Sequence, residues 1–586
     1  MKTLPRIIGL KFLIIALSFL PLFLFSQIRI DKQQCFGGYG DEYSVGMVME
    51  KDFIMLVGST PREYAGTGHV PQDCANSRVG DPCWIMKINH DYEVIDSWCH
   101  GDMGFAEGIG FMFKIGDKFE YYLSGSGFPE ICDAQNRNIV AKRINADGEE
   151  IWSRGFGTHN GLSYDHCANG ELTHDGGLIC HANYHSGGCD ISQTYGNGDG
   201  WLVAIDSLGN MQWETTLGTA GQDQLTHVHR SSRGGYYAPM YNDPVVSFGS
   251  LQPCYEPVVM NLNATLLKLD DRGNIEWQEC YGCERQAIDG DGACFGSIVD
   301  LEDGGLLCVG DASCNTGDLA GSGWHYGTLN NIPNGTVTSD VWLLRLDENR
   351  NIVWSRCYGG SNWDSASYAF ELEDGGFMVF GVTYSIDGDV ASAAHINLSD
   401  QNVGVGWMFR TDANGNLLWE RCLGNYGGGG FSRFTDVVRH NDREYTIAGE
   451  MVCPNSSAYQ GDIDCSNCAV TQNPEPSNLY NWDYWILHIT DTVDYTTLQV
   501  PEQPMPMEEA SVEVYPNPAN KTVCVVLPNE AETTQMELVN MKGQVVAAKT
   551  FSGKSSWIEM GGLPQGMYAL RIRNAEVCLA RKVLRE

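Results

Sequence analysis

A cysteine–histidine cluster is the first group in the sequence whose residue types suit metal chemistry. Cys180-His181…His185…Cys189 offers thiol and imidazole ligands within a short stretch, and both side chains are common metal ligands. Cys180 and His181, however, fall on a predicted β-strand, where alternation turns neighbouring side chains to opposite faces. We therefore expect no metal centre at this cluster.

Two cysteine pairs have the Cys-x-x-Cys spacing found in zinc sites and redox centres. They are Cys280 with Cys283 and Cys465 with Cys468. Each pair stands alone, without the second pair that a four-cysteine zinc site requires. In an exported protein, isolated pairs of this kind favour disulfide bonds over zinc binding or redox chemistry.

Three short acidic clusters offer oxygen ligands for calcium, although none has the twelve-residue EF-hand pattern. Solvated carboxylates in turns are the simpler interpretation, so any calcium would be a structural ion. The sequence contains no GxSxG, HExxH, Walker A or dinucleotide-binding motif. It therefore predicts no catalytic residue, no metal centre and no cofactor. The acidic clusters are Asp289 with Asp291, Asp387 with Asp389, and Asp462 with Asp464.

The composition narrows the class of protein. The chain has 586 residues, and its 37 basic against 74 acidic residues give a formal net charge of −37. Such a charge argues against a nucleic-acid partner or an anionic membrane surface, since both require a cationic face. The 68 glycines and 43% hydrophobic content fit many short strands and turns around a core. The 21 cysteines suit an oxidising compartment.

The N-terminus has the pattern of a secretory signal peptide. A basic start with Lys2, Arg6 and Lys11 precedes an apolar run over residues 12–25. The run is shorter than the roughly 20 residues that a membrane span needs. We expect cleavage after Ser26 and no transmembrane segment in the mature chain.

The C-terminal part has the pattern of a separate module. Residues 496–510 are rich in proline and glutamate and are predicted to be a linker. Residues 511–586 contain seven short alternating runs separated by turns. They predict a small Ig-like β-sandwich.

Three segments of this tail carry a recognisable ensemble of motifs. They are VYPNPA at 514–519, LVNMKGQVV at 538–546 and LPQGMYAL at 563–570, followed by a basic finish at 581–585. With them the tail resembles the type A sorting domain of the Bacteroidota type IX secretion system. The resemblance implies passage through the periplasm, recognition by the type IX machinery, and release or display at the cell surface. The motif residues are Tyr515, Pro516, Asn517, Pro518, Gly543, Gly566 and Tyr568.

The middle of the chain is a repeat. One position, which we call the anchor, recurs about every 67 residues and lies on the third predicted strand of each copy, strand c. A turn follows the anchor, and a second tryptophan usually lies twelve residues after it. In the copy around Trp342 the pattern predicts strands a to d at 293–301, 305–310, 341–347 and 352–358. The seven anchors are Trp84, Val140, Trp201, Thr265, Trp342, Trp407 and Trp485.

Seven four-strand copies predict an all-β, seven-bladed β-propeller over residues 27–495. Residues 28–38 align with a d strand, and the last copy ends after its c strand, so we expect the first strand to close the last blade. The repeats resemble the propeller-like arrays of secreted Bacteroidota proteins that carry this tail. Turns between a and b and between c and d are short, whereas the b–c loops are long, so the insertions fall on one face.

The inserted loops hold the residues that we expect to matter for function. Cys35, Cys280, Cys357 and Cys422 occupy one repeated strand position and are expected to be mostly buried apolar residues. The loop cysteines are the candidates for disulfides: Cys74, Cys132, Cys189, Cys254, Cys283, Cys314, Cys453, Cys465 and Cys468. The aromatic candidates for a binding face are Tyr255, Trp324, Tyr326, Tyr480 and Trp482.

The sequence favours a binding protein over an enzyme. We expect a secreted or surface-displayed propeller whose disulfide-braced loops recognise a glycan or a protein. The alternatives are a glycan-active hydrolase or lyase on the same scaffold and a structural surface-layer component. Two convergent carboxylates with an arginine in the axial funnel would favour the enzyme, because sugar hydrolysis generally needs such a pair.

Overall fold

The computed structural model describes the chain from residue 28 to residue 585, with gaps. The gaps are 78–80, 105–110, 118, 128–137, 159–166, 185–186, 197, 222, 243–248, 252–262, 284–291, 326–337, 391, 393–403, 425–431, 453–481, 494–512, 516–520, 541–544, 565 and 574–577. The chain divides into two compact parts, Met1–Thr492 and Val493–Glu586.

The first part is built almost entirely of antiparallel four-strand units, whose strands we call a to d in chain order. The first strand of the chain is β1 (Ile28–Phe36). Unit 1 contains β2 (Tyr43–Met49), β3 (Ile54–Ser59), β4 (Pro82–Ile88) and β5 (Val94–Gly104). Unit 2 contains β6 (Phe111–Lys114), β7 (Glu120–Gly127), β8 (Asn138–Asn145) and β9 (Glu150–Phe156). Unit 3 contains β10 (Cys167–Leu172), β11 (Leu178–Tyr184), β12 (Asp199–Ile205) and β13 (Met211–Leu217).

The remaining units follow the same order, with the a strand of unit 4 split in two. Unit 4 contains β14 (Asp223–Leu225), β15 (His229–Arg230), β16 (Tyr236–Asn242), β17 (Asn263–Leu269) and β18 (Ile275–Tyr281). Unit 5 contains β19 (Ala293–Asp300), β20 (Leu306–Ala312), β21 (Asp340–Leu346) and β22 (Ile352–Tyr358). Unit 6 contains β23 (Asp364–Glu371), β24 (Phe377–Thr383), β25 (Val405–Thr411) and β26 (Leu417–Leu423). Unit 7 contains β27 (Ser432–Arg439), β28 (Glu444–Val452) and β29 (Trp482–Asp491).

The fourth strand of unit 7 comes from the other end of the chain. Strand β1 pairs antiparallel with β29, in a register that sets Cys35 opposite Trp485 and Phe36 opposite Tyr484. Units 1 and 2 share a two-residue pairing between β5 and β7 and so form one eight-stranded sheet. Strand β1 thereby protects the edge of β29 from pairing with other molecules, and β1 itself is the outer strand of unit 7.

Successive units touch through their inner strands, and these contacts form a closed circuit. The a strand of each unit lies against a strand of the unit before it, and β2 of unit 1 contacts β27 and β28 of unit 7. The fold is therefore all-β, and its four-stranded sheets are consistent with propeller blades. The strands predicted around Trp342 are confirmed to within two residues at each end.

The anchor tryptophans pack inside the units. Each lies on a c strand, which is covered on both faces, and each is at most 1% exposed. Each indole N–H donates to a polar side chain on the adjacent d strand, as in the 2.9 Å bond from Trp342 to Ser355 Oγ. A buried indole with a satisfied N–H gives apolar contact without an orphaned donor. The five anchors are Trp84, Trp201, Trp342, Trp407 and Trp485.

The described residues of the second part form five strands where the sequence predicts seven. They are β30 (Glu513–Tyr515), β31 (Thr522–Asn540), β32 (Val545–Glu559), β33 (Gly566–Arg573) and β34 (Cys578–Arg585). Strands β31 and β32 each run through two predicted strands, with register shifts at Ala531 where we expected a break. Their shared core includes Val523, Met536 and Leu570, each fully buried.

Candidate functional site

A cavity opens where the inner strands of several units begin. It has a volume of about 750 Å³ and is lined from β6, the turn between β14 and β15, β19, β20, β23, β24 and β27. In each unit, strand a begins and strand b ends on the side of the long b–c loops. We call this cavity the channel mouth, and its principal polar lining residues are His227, His229, Asp311, Ser365, Tyr368 and Arg433.

Three histidines meet at one wall of the channel mouth. The rings of His227 and His229 stack with centroids 4.3 Å apart, and His181 lies behind His227 at 5.9 Å. Phe111 contacts His227 edge to face at 5.7 Å. Burial, and then the mutual proximity of the rings, lowers the pKa of His181 to about 3, and burial lowers that of His229 to about 4. The cluster is therefore neutral at ordinary pH and presents imidazole rings rather than cations.

A single aspartate faces the described lining of the channel mouth. Asp311 ends the b strand of unit 5 and accepts a 3.2 Å hydrogen bond from Ser365 Oγ of unit 6. Its Oδ1 is buried and has no hydrogen-bond partner among the described residues. Burial raises the pKa of Asp311 to about 7. The charge of the channel mouth therefore changes near neutral pH.

An arginine links the channel mouth to one residue of the predicted aromatic face. Arg433 Nε donates to Glu450 Oε2 at 2.6 Å, and its guanidinium lies 5.9 Å from the ring of Trp482. The Trp482 ring is in turn 6.1 Å from that of Tyr43. Burial raises the pKa of Glu450 to about 7, against the opposing effect of Arg433. Trp482, Tyr43 and Arg433 are all partly exposed, and of the three Arg433 lines the cavity. We call this group of two aromatic rings and a cation the rim.

The other aromatic candidates are placed differently. Trp324 is half-buried and packs against the core cluster that contains Leu319 and Trp342. Tyr255, Tyr326 and Tyr480 lie outside the described residues. The structure thus brings Trp482 next to the channel mouth, through an arginine that sequence reasoning did not single out.

The cysteines follow the predicted division only in part. Cys74 bonds to Cys99 and Cys283 bonds to Cys314, and Cys189 is also disulfide-bonded. Cys99 was not among the candidates, because it lies on a d strand rather than in a loop. The remaining candidates, Cys132, Cys254, Cys453, Cys465 and Cys468, lie outside the described residues.

The expectation for the repeated strand cysteines is wrong at two of its four positions. Cys35 and Cys280 are disulfide-bonded, whereas Cys357 and Cys422 are free and buried. Cys283 bonds to Cys314 rather than to its neighbour in the Cys-x-x-Cys pair. The equivalence of the four positions within the repeat hid this difference, because disulfide formation depends on the loops that surround each unit.

Repeated hydrogen-bond pairs hold the bases of the inserted loops. At five junctions, the glycine after a d strand donates its N–H to a loop side chain of the next unit and accepts that residue's N–H. For Gly282 and Asp318 both bonds measure 3.0 Å. We call these pairs interunit bridges: Gly37 with His69, Gly157 with Asp190, Gly218 with Ser250, Gly282 with Asp318, and Gly359 with Asp389.

The interunit bridges have a local signature that sequence reasoning missed. The loop residue follows a residue with positive φ, such as Gly317 at 62° or Gly388 at 67°. Only glycine adopts this conformation freely. A Gly-Asp dipeptide in the b–c loops of units 5 and 6 was therefore the available signal, whereas the other three bridges have Gly-His, Cys-Asp and Gly-Ser at this place. One predicted calcium ligand, Asp389, is used in such a bridge.

Among the described residues, one compact grouping contains three potential metal ligands from His, Cys, Asp or Glu, and it is not a metal site. Asp73, Cys74 and Cys99 have ligand atoms within 4.8 Å of one another, but the two sulfurs are joined in a disulfide. Asp289, Asp291, Asp462, Asp464 and His185 lie outside the described residues.

The sorting-motif residues lie at the ends of tail strands. Tyr515 ends β30, is 46% exposed, and contacts Trp557 edge to face. Gly566 begins β33, and Tyr568 is buried with its hydroxyl donating to Pro564 O at 2.7 Å. Pro516, Asn517, Pro518 and Gly543 lie outside the described residues.

The tail also matches a known family model. Residues 513–586 match the secretion system C-terminal sorting domain. The tail is a type IX sorting domain. The protein carrying it is a type IX secretion cargo, exported to the cell surface or the extracellular space. Among the described residues, no helix is long and apolar enough to cross a membrane.

Comparison with solved structures gives distant similarities. A Bacteroides caccae protein of unknown function is 13% identical, covers 58% of this chain and 89% of its own, and has a TM-score of 0.30. A copper-bound fungal alcohol oxidase of the AA5 family is 11% identical, with coverages of 81% and 96% and a TM-score of 0.28. Drosophila Plexin A in complex with Semaphorin 1b is 8% identical, with coverages of 80% and 88% and a TM-score of 0.36. These scores are too low to inform function, and no curated protein matches the sequence.

Proposed function

We propose that this sorting-domain protein is a secreted or cell-surface binding protein that recognises a glycan or a protein through its channel mouth and inserted loops. In this proposal the seven four-strand units form a seven-bladed propeller. The observation that carries the proposal is the channel mouth, about 750 Å³ in volume, on the same side as the long loops. Ligand sites typically have volumes of roughly 300–1,000 Å³.

The chemistry of the rim suits a sugar or a polar peptide. Trp482 and Tyr43 offer flat apolar faces for stacking, and Arg433 places a cation beside them. Ser365 and Tyr368 add hydroxyl groups inside the cavity. A few polar groups among aromatic surfaces give a ligand both affinity and orientation. Trp324, Tyr255, Tyr326 and Tyr480 extend the proposed face.

The bases of the inserted loops are preorganised. Interunit bridges fix five of them to the neighbouring unit, and the disulfides Cys74–Cys99 and Cys283–Cys314 restrain two. A loop that is already ordered loses less conformational entropy when it binds. This property favours recognition by the loop side over recognition by the side of the short turns.

The channel mouth favours binding over glycan cleavage. Among its described lining residues Asp311 is the single carboxylate, whereas glycoside hydrolysis generally needs two facing carboxyl groups. Glu450 lies nearby but is fully buried and bound to Arg433. We therefore place the hydrolase or lyase and the surface-layer component behind the binding protein.

Binding of the purified full-length protein to glycan arrays and to host-cell surfaces tests the proposal. We expect reproducible binding that falls at least tenfold in Trp482→Ala and less in Trp324→Ala. Leu208→Ala is the matched control, because Leu208 is 64% exposed in a short c–d turn on the opposite side. Binding that is equal in all three variants, or absent from every surface, would refute the proposal. Release of shortened glycans would establish the enzyme instead.

A further inference from the structure

Buried acidic residues meet in pairs at the junctions between units. One member precedes or begins an a strand, and the other begins the c strand of the preceding unit. Each side chain is at most 1% exposed. The pairs are Glu42 with Asp483 and Asp364 with Asp340.

The two carboxylates of a pair approach one point. A Cβ on Gly37 would lie 2.9 Å from Glu42 Oε2 and still closer to Asp483 Oδ1. A Cβ on Gly359 would likewise lie 2.8 Å from Asp340 Oδ1 and still closer to one oxygen of Asp364. The backbone of each glycine therefore lies directly against the acidic oxygens, with no room for a side chain between them.

One oxygen in each of these two pairs lacks a donor. Asp483 Oδ1 and Asp340 Oδ1 are buried and have no hydrogen-bond partner among the described residues. Their partners are well supplied with donors: Glu42 accepts from Gly38 N–H at 3.0 Å and Thr60 Oγ1 at 3.1 Å. The unpartnered oxygens thus point to a missing positive group.

The electrostatics of the pairs also require such a group. Like charges in a buried site cannot both ionise without a counterion. Among the described residues, neither Lys nor Arg forms an ion pair with Glu42, Asp483, Asp340 or Asp364. His325 pairs with Asp340, but through Oδ2 and not through the oxygen that faces Asp364.

Further acidic groups face both pairs. Asp41 is adjacent to Glu42 and accepts from Trp482 N–H at 3.2 Å, while His69 lies on the other side of Gly37. Asp389 faces the second pair through Gly359, and His325 Nδ1 lies 3.0 Å from Asp340 Oδ2. His325 therefore engages the oxygen of Asp340 that points away from the convergence point.

We propose that a calcium ion binds between the carboxylates at Glu42–Asp483 and at Asp340–Asp364. The available ligands are oxygens, which calcium prefers, and calcium tolerates the irregular geometry of a loop junction. Main-chain oxygens and water would complete its coordination. Extracellular calcium modules bind with dissociation constants of about 10⁻⁴–10⁻³ M, a range suited to an exported protein. This inference does not depend on the proposed recognition of a glycan or protein.

Thermal unfolding of the full-length protein with calcium or with EDTA tests the proposal at pH 7.5. We expect about 10 mM calcium to raise the Tm by about 2–4 °C. The double variant Asp483→Asn with Asp340→Asn should lose this rise, because each neutral amide removes one ligand charge. Asp206→Asn is the matched control, since Asn145 fills the same turn position in another unit with the same backbone bonds.

A direct binding measurement keeps the test independent of variant folding. Terbium, which takes the same oxygen ligands as calcium, should luminesce on excitation of the protein and be displaced by calcium. If calcium changed neither the Tm of the wild type nor its terbium luminescence, the proposal would be overturned. A shared proton would then remain as the counterion. An equal calcium response in the double variant would also overturn it.

Discussion

Aspartates on the two sides of a repeat unit differ in their burial and in the number of hydrogen bonds that they accept. In the short c–d turns, Asp347 is exposed and accepts the N–H groups of Asn349 and Asn351, each at 2.8 Å. At the loop side, Asp311 is enclosed by β20 and β23 and receives one described side-chain hydrogen bond. Asp347 therefore has hydrogen-bond donors around it but is exposed, whereas Asp311 is buried and has few donors.

Because of this difference, acid has opposite effects on what the two kinds of aspartate contribute to stability. The side-chain hydrogen bond from Asn351, together with backbone donors, lowers the pKa of Asp347. Its stabilising contribution is therefore present above the ordinary aspartate pKa and is lost as the pH falls. Burial raises the pKa of Asp311 to about 7, so the folded state keeps a proton that the unfolded chain has lost. Stability therefore decreases as the pH rises towards 7.

The largest expected contrast between the two sides concerns their glycines. In Gly359→Ala the new Cβ would meet buried carboxylate oxygens of Asp364 and Asp340. The Asp364 oxygen accepts from Gly360 N–H and Ser385 Oγ, and Asp340 is held by His325 through its other oxygen. We expect a loss of about 3 kcal/mol in the free energy of unfolding. Denaturation in urea measures it.

Gly176→Ala is the control on the side of the short turns. Gly176 has φ of +86°, but a Cβ there would meet nothing within 4 Å. Only backbone strain remains, which costs about 1 kcal/mol. Equal losses in the two variants would show that the loop side is no more crowded than the turn side.

A smaller effect is expected from the pH dependence of the channel mouth. Asp311→Asn removes a carboxylate that the folded protein holds protonated up to a pKa of about 7. Between pH 4.5 and 7.5 the wild type should lose about 2 kcal/mol more than the variant. Urea denaturation at the two pH values measures the difference. Asp347→Asn should keep the wild-type slope over this range, and a slope unchanged in Asp311→Asn would contradict the assignment.

The repeat and its strands could be predicted because short, local sequence patterns indicate them. The spacing of Trp342 and Trp354, with the turn between them, fixed strands c and d. The tail was recognisable because Tyr515, Gly566 and Tyr568 belong to contiguous motifs. Its strand count was wrong, because β31 and β32 each continue through two of the seven predicted runs.

The site itself could not be predicted, because its parts come from different units. Arg433 and Trp482 are brought together only by pairing within unit 7 and the circuit of units. Asp41 and Trp482 are 441 residues apart in sequence. A one-dimensional pattern shows that loops are long, but it does not show which residue of the next unit holds them.

The smallest contrast concerns single hydrogen bonds on the two sides. In Asp190→Ala the interunit bridge loses the 3.0 Å bond to Gly157 N–H, which leaves a half-buried donor unsatisfied. We expect a loss of about 1 kcal/mol and faster hydrogen exchange at Gly157. Asp412→Ala removes the acceptor of two turn N–H groups at 2.8–2.9 Å, but water replaces it there. We expect a loss of about 0.5 kcal/mol.

The conservative variants separate geometry from charge in this last comparison. Asp190→Asn keeps an acceptor oxygen, so it should restore protection at Gly157 if the bridge works as a hydrogen bond. Asp412→Asn should be nearly neutral, because Asn145 makes the equivalent turn bonds at 3.0 Å. If Asp190→Ala left the exchange at Gly157 unchanged, the loop base would be held by its backbone half alone, through Asp190 N–H to Gly157 O at 3.2 Å. Main-chain hydrogen bonds would then be what orders the bases of the loops. The bridge would place no constraint on its side chain, which could then differ from loop to loop according to the ligand.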